Sequence, residues 1–320
     1  LAAALRARGV PSVMYGPDEN WREPADDGLF HAWLPRPWVD SGSDARGLVE
    51  ACRIFGARVA VIDDYRVDDE YQLCLREHGL TWMQQFNASS PPAFWGDWIV
   101  NAGPGETAAR YIDHVKNPQA TFLLGPEYAV LRPEFRGGGT ELPSGRVSRI
   151  LLSFGGGDDQ GLVIRLLSAL IADGPPDVEF RVMSGKRNPR NDSISEWINY
   201  NAQGRVTLSV NPSDVVAEYR ACQLAIIGGG TSTFEAAALG LPMIIVAMAD
   251  NQNRQAVGWE ERHAAVFAGG LDTLSLEGLV IRVTSLCADP ARVAEMSRAG
   301  VASVDGGGCE RLVQRLVGVI

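Results

Sequence analysis

The residues from Leu224 to Glu235, Leu-Ala-Ile-Ile-Gly-Gly-Gly-Thr-Ser-Thr-Phe-Glu, join an apolar run to three glycines and three hydroxyl side chains. This order predicts a short strand over 224–227, a tight turn, and a helix near Thr233 to Leu239. Gly228, Gly229 and Gly230 let the backbone turn sharply and approach a ligand closely. Unbonded amides at a helix start, aided by the helix dipole, form an anion site. Thr231, Ser232 and Thr233 can cap the helix or donate to phosphate oxygens. The chemistry to expect is the holding of a phosphate or diphosphate, with Glu235 able to accept from ribose hydroxyls. The plainer use of the same residues is a capped turn, with Glu235 as favourable charge at the helix N-terminus. Thr233 stands where G-x-G-x-x-G needs its last glycine, and no P-loop lysine is present. Both facts argue against an ordinary dinucleotide dehydrogenase and a nucleoside triphosphatase.

Leu151-Leu-Ser-Phe-Gly-Gly-Gly-Asp-Asp-Gln160 repeats the logic of strand, glycine turn and helix start. Gly155 and Gly156 become a second candidate nucleotide contact, with Asp158 or Asp159 suited to the cap. Ala249-Asp-Asn-Gln-Asn-Arg254 follows a predicted strand. Asn and Gln offer donors and acceptors without charge, which suits sugar hydroxyls and acetamides; an Asx-rich helix cap is the plainer use. The histidines, His31, His78, His114 and His263, form no catalytic triplet and have no metal-ligand spacing. Ser232 lacks the flanks of a nucleophile elbow. No metal and no cofactor are expected.

Positioning such turns requires parallel sheets. In the C-terminal half, strands are predicted at 148–153, 178–183, 205–210, 224–227 and 243–246. Helices are predicted near 161–172, 193–202, 213–221, 233–239 and 253–262, and two or three more close the chain. The N-terminal half gives strands near 11–15, 30–34, 58–63, 81–86, 97–101 and 120–124, with helices at 48–55 and 68–78. Strands separated by helices imply parallel sheets with ligands at the carboxyl ends of strands. The Gly-rich stretch Arg136–Gly145 reads as the linker, so the expected domains are 1–140 and 141–320.

At 320 residues the length fits two domains. With 46% hydrophobic and 21% charged residues, the composition is that of a globular chain. The net charge of −10 lacks the electrostatic footprint of a nucleic-acid binder. Five cysteines, odd in number and without a Cys-x-x-Cys pair, read as reduced thiols in a cytoplasmic protein. No apolar run reaches membrane-spanning length, so no membrane insertion is expected. The opening Leu1-Ala-Ala-Ala-Leu-Arg-Ala-Arg-Gly9 starts inside a helix without a cap, which suggests that sequence precedes Leu1.

Taken together, these segments resemble the family of UDP-2,4-diacetamido-2,4,6-trideoxy-β-L-altropyranose hydrolases, which act in pseudaminic acid biosynthesis for bacterial surface glycans. The family is related to the glycosyltransferase that forms lipid II. The resemblance rests on Val61-Ile-Asp-Asp-Tyr65, Asp97-Trp-Ile-Val-Asn101, Leu124–Phe135, Ser153–Asp158, Gly228–Glu235, Asn251-Gln252 and Asp305-Gly-Gly-Gly308 with Arg311. It implies an α/β, GT-B-like fold of two Rossmann-like parallel-sheet domains facing a central cleft, with a UDP-sugar as substrate. Gly228–Ser232 would hold the diphosphate, Glu235 the ribose, Asn251 the sugar, and Gln252 would stand beside it. The implied reaction is metal-independent hydrolysis at the anomeric carbon. The family's basic histidine lies before the first helix and so before Leu1, and Gln84-Gln85 stands where relatives carry acids. The competing expectations are a GT-B glycosyltransferase using a UDP-N-acetylhexosamine and a noncatalytic UDP-sugar binding protein. Oligomeric state is not legible in the sequence.

Overall fold

The computed structural model describes residues 1–319 except Glu23, 137–144 and Gln203. Two compact units emerge. The first comprises Leu1–Ala102, Glu106–Val130 and Gly307–Ile320; the second comprises Gly103–Gly105 and Leu131–Gly306. The expected boundary at 140/141 lies outside the described residues. The change of unit comes at Val130/Leu131, and the last segment, expected in the C-terminal domain, belongs to the first unit.

In the first unit, α1 (Ala2–Ala7) precedes β1 (Val13–Gly16) and β2 (Ala32–Pro35), which pair parallel as a two-stranded sheet. Next come α2 (Ser41–Phe55), β3 (Val59–Ile62), α3 (Asp69–Glu77), β4 (Thr81–Gln85), β5 (Trp98–Asn101) and β6 (Thr121–Leu124). The last four strands form one parallel sheet in the order β3-β4-β5-β6. Both helices begin on an acidic cap, as their sequence requires. Asp40 accepts from the Ser43 amide at 2.6 Å, and Asp68 from the Tyr71 amide at 3.0 Å. Gly56, at φ 64°, ends α2 in the left-handed conformation that glycine tolerates.

The second unit runs β7 (Arg149–Ser153), α4 (Leu162–Asp173), β8 (Glu179–Ser184), α5 (Asn191–Asn201), β9 (Val206–Val210), α6 (Val215–Arg220) and β10 (Leu224–Gly228). It continues with α7 (Ser232–Ala238), β11 (Met243–Ala247), α8 (Asp250–Glu261), β12 (Ala265–Gly270), α9 (Leu276–Ala288) and α10 (Pro290–Ser303). Its six strands are parallel in the order β12-β11-β10-β7-β8-β9. From β7 the chain builds outward to β9, then returns to lay β10 on the other side of β7. The switch point of this Rossmann order therefore falls between β7 and β10. Strands β10 and β11 are buried at every residue, which is why they read as continuous apolar runs. Leu162, Val163, Leu166, Leu167 and Leu170 face the core from α4 at helical spacing. Each such leucine contributes about 1.5–3 kcal/mol by leaving water.

The final helix, α11 (Gly308–Val317), sets Cys309, Leu312, Val313 and Leu316 into a first-unit core with Ala4, Leu5, Met83, Trp98 and Leu123.

Candidate functional site

Both glycine turns leave the carboxyl ends of adjacent strands, one on each side of the switch point. Ser153 pairs with Ile227 in the register of β7 and β10. Phe154–Gly157 and Gly229–Thr231 therefore emerge side by side, where parallel sheets of this order take ligands.

The β10 turn is made by exclusion. A Cβ on Gly229 would stand 2.9 Å from the Gln252 Cβ and 3.1 Å from its carbonyl oxygen. The Gln252 side-chain oxygen accepts from the amides of Gly229 and Met248, both at 2.9 Å, and so ties the turn to the end of β11. Gln255 donates to the Gly230 carbonyl at 2.8 Å and to Thr233 Oγ1 at 2.7 Å. Thr233 is buried and its hydroxyl donates to the Gly230 carbonyl, so it belongs to the turn's framework. The amides of Thr233, Phe234 and Glu235 bend back onto the carbonyls of Gly230 and Thr231. Among the described residues, no backbone hydrogen bond engages the amides of Thr231 and Ser232. The donors left at this turn are fewer than a wholly unbonded first turn would offer. Thr231 is exposed and Ser232 half-buried, and Thr231 makes no side-chain cap bond.

The β7 turn is more open. Gly155 has φ 90°, and a Cβ on Gly155, Gly156 or Gly157 would meet nothing within 4 Å. Its foundation is rigid. A Cβ on Gly185, after β8, would overlap the Gly156 backbone. Asp159 accepts from the Gly161 amide at 2.7 Å and from Asn188 at 2.8 Å. Asp158 accepts from the Gln160 amide and from Arg190, each at 2.8 Å, and these bonds hold its carboxyl below the usual range. The acids expected at the cap thus brace the loop.

Glu235, on the first turn of α7, is held from two sides. Arg132 Nη2 donates to Oε1 at 3.2 Å and the Tyr219 hydroxyl to Oε2 at 3.1 Å. Burial, and then the Glu235 charge, push the Tyr219 phenol far above its ordinary value, so it remains a donor. Sequence reasoning missed both partners. Arg132 stands in the quoted Leu124–Phe135 segment, but nothing in local spacing links it to Glu235. Asn251 is half-buried at the start of α8, beside Gln252.

The first unit carries side chains on the corresponding edge of its sheet. Asp63 follows β3, where burial and then the charge of Asp64 raise its carboxyl. Asp64 is instead lowered by Arg66, whose Nε donates to it at 2.9 Å. Tyr65 donates to Asn87. Gln84 is buried at the end of β4, with its side-chain oxygen unpaired. Asn101 ends β5 and donates to the Tyr111 hydroxyl at 2.9 Å. Tyr111 donates to Glu106 at 2.6 Å, and Glu106 pairs with Arg110 at 2.9 Å. Among the described residues, no group of three or more His, Cys, Asp or Glu side chains forms a metal site. Among the described residues no disulfide forms, and no helix is long and apolar enough to cross a membrane.

No protein-family profile matches the chain. Over 222 residues it is 25% identical to the spore coat polysaccharide biosynthesis protein SpsG of Bacillus subtilis, covering 68% of this chain and 63% of that one. Over 213 residues it is 24% identical to an uncharacterized protein of Methanocaldococcus jannaschii, covering 64% and 43%. The matches therefore span less than two thirds of these curated relatives. Among solved structures, MurG of Acinetobacter baumannii aligns with a TM-score of 0.68 at 15% identity, covering 98% of this chain and 92% of that one. A Rickettsia africae glycosyltransferase gives 0.69 at 12%, covering 98% and 91%. The S. aureus MnaA–UDP structure gives 0.64 at 12%, covering 100% and 93%. The chain has the GT-B fold, with two Rossmann-like parallel sheets.

Proposed function

We propose that this chain is a nucleotide-sugar enzyme of polysaccharide biosynthesis that binds UDP in its second unit and transfers the sugar from the diphosphate to an acceptor hydroxyl. The observation that carries the reading is the pair of glycine turns flanking the switch point between β7 and β10. The relatives support it in kind: one is named for polysaccharide biosynthesis, one neighbour is a glycosyltransferase, and another was solved with UDP.

In this reading Gly228, Gly229, Gly230, Thr231 and Ser232 cradle the diphosphate, with Gly155 and Gly156 closing on it from the β7 turn. Glu235 takes the ribose, while Asn251 reaches the sugar. Gln252 supports the turn through the two amides it binds. The acceptor oxygen bonds to C1 as the bond from C1 to the diphosphate oxygen breaks. Amides at the turn stabilise the charge that gathers on departing UDP, and a base takes the acceptor's proton. Water as the acceptor, giving a hydrolase of the pseudaminic acid pathway, is the second reading. It is favoured by Leu124–Phe135 and the other segments quoted for that family. Five cysteines outside any disulfide support a cytoplasmic setting.

Calorimetry with UDP tests the binding step, and absence of heat at millimolar UDP would overturn both readings. UDP release from UDP-N-acetylglucosamine and from a UDP-diacetamido-trideoxyhexose then separates them. Release in buffer alone supports hydrolysis, whereas release that requires an added acceptor alcohol supports transfer.

A further inference from the structure

Helix α8 carries the supports of the β10 turn, Gln252 and Gln255, yet its own hold on the core is thin. Of its twelve residues, Ala256, Gly258 and Trp259 are the buried ones. A helix draws most of its stability in a protein from its packed face. One with so narrow a face needs further ties to fix its place. One set lies at its start, where Gln252 accepts from the Gly229 and Met248 amides. Another lies at its far end.

Three residues, Gly103–Gly105, belong to the second unit although the chain before and after them belongs to the first. Gly103 and Pro104 are buried. This strap meets α8 at Gly258, backbone against backbone. A Cβ on Gly258 would stand 2.5 Å from the Gly105 nitrogen and 3.0 Å from the Gly105 Cα. Arg262, just past the end of α8, donates from Nε to the Pro104 carbonyl at 2.7 Å.

We propose that the Gly103–Gly105 strap positions α8 and, through it, the β10 turn, so that Gly258 and Arg262 are positioning residues for the ligand the turn holds. That last step rests on the reading that the second unit binds a uridine nucleotide. Gly258 stands six residues beyond Gln252, about 9 Å along the helix. The ladder of backbone bonds keeps a helix stiff over that length, so a displacement at one end reaches the other. The Gln252 Cβ already lies 2.9 Å from the place a Gly229 Cβ would take, which leaves the turn no slack on that side. A helix pushed off the strap therefore carries the Gln252 oxygen away from the two amides it binds.

The test combines hydrogen exchange at the Gly229 amide with calorimetry of UDP binding, both on the full chain. Exchange is read relative to the Leu166 amide in the core of α4, which reports global unfolding. In Gly258→Ala, Gly229 is expected to exchange about tenfold faster and UDP affinity to fall about tenfold, as for the weakening of one or two hydrogen bonds. Arg262→Met keeps the stem and loses the donor, and both readouts should move by about threefold. Arg262 is exposed, so this variant carries the test even if Gly258→Ala fails to fold. Val257→Ala, an exposed neighbour on the same helix, should leave both readouts within about twofold. A strap that is only local packing would lower the melting temperature of Gly258→Ala and leave Gly229 exchange and UDP affinity at wild-type values. That result, with Arg262→Met equally silent, overturns the proposal. Faster Gly229 exchange in variants of a chain that binds no UDP, wild type included, supports the strap's hold on the turn and removes the nucleotide reading instead.

Discussion

In the second unit, the carboxyl ends of the two central strands carry glycines, and what shapes the site is atoms that are missing. In the first unit, β5 ends in Asn101, and what shapes that end is side chains bonded to one another. Gly229 sits where a methyl group would strike Gln252, and Gly185 where one would strike Gly156. Asn101, Tyr111, Glu106 and Arg110 instead form a chain of hydrogen bonds, and Arg110 continues it to the carbonyls of Ala88 at 3.0 Å and Ser89 at 2.6 Å. A backbone-built site fails by crowding. A side-chain-built edge fails by losing a partner or changing charge. The two halves should therefore answer differently to the same kinds of substitution.

The largest effect is expected in the first unit. Arg110→Ala takes the charged partner away from the Glu106 carboxylate, whose side chain is 4% exposed. Removing one member of a buried pair costs about 3–5 kcal/mol, to be read from urea unfolding. A loss below about 1 kcal/mol would show that the side-chain network does not support this edge.

Crowding in the second unit should come next. Gly229→Ala is expected to cost about 1–3 kcal/mol of stability through overpacking and to abolish UDP binding. Gly156→Ala puts its methyl into open space, so stability should stay within about 0.5 kcal/mol while UDP affinity falls. If Gly156→Ala binds UDP normally, the β7 turn does not approach the ligand. Gln252→Ala removes the acceptor for the Gly229 and Met248 amides. Its cost, about 1–3 kcal/mol for donors left unpaired, should appear in the same unfolding assay.

The smallest effect concerns charge. Asp44 is buried and accepts from the Tyr71 hydroxyl at 3.1 Å. Burial raises its carboxyl, the Tyr71 bond opposes that rise, and the charge of Asp64 adds to it. The folded protein therefore holds this proton more tightly than the unfolded chain. Stability from Asp44 is fully present below the unfolded carboxyl value and is lost as pH rises through the folded one. Asp44→Asn should remove that decline, so its unfolding free energy falls less than wild type between about pH 4 and neutrality. Asp64, lowered by Arg66, works in the opposite direction in both proteins. A wild-type curve parallel to that of the variant would show that Asp44 titrates normally.

Legibility in the sequence follows the same division. The glycine turns were readable because an excluded Cβ leaves a compositional trace at the position where it acts. The apolar runs of β7, β10 and β11 were readable because both faces of a parallel strand are buried. Strand β12, Ala265–Gly270, left no such trace. It ends in two glycines and follows His263 at φ 60°, and no strand is predicted there. The first two turns of α2, opening Ser-Gly-Ser-Asp, lie before the predicted helix at 48–55. They are helical because Asp40 caps them and Gly42, Asp44 and Ala45 are buried. Arg132 and Tyr219 were invisible for another reason: they reach Glu235 from 103 and 16 residues away, and only the fold brings them to it.

The long segment of the second unit, Leu131–Gly306, also begins and ends at one place. Arg136, soon after its entry at Leu131, packs against Gly306 at its exit, where a Cβ would lie 3.1 Å from the Arg136 Cα. A unit with adjoining ends is a cartridge. Recombination at two points could exchange it for another, leaving the closing helix α11 as it was.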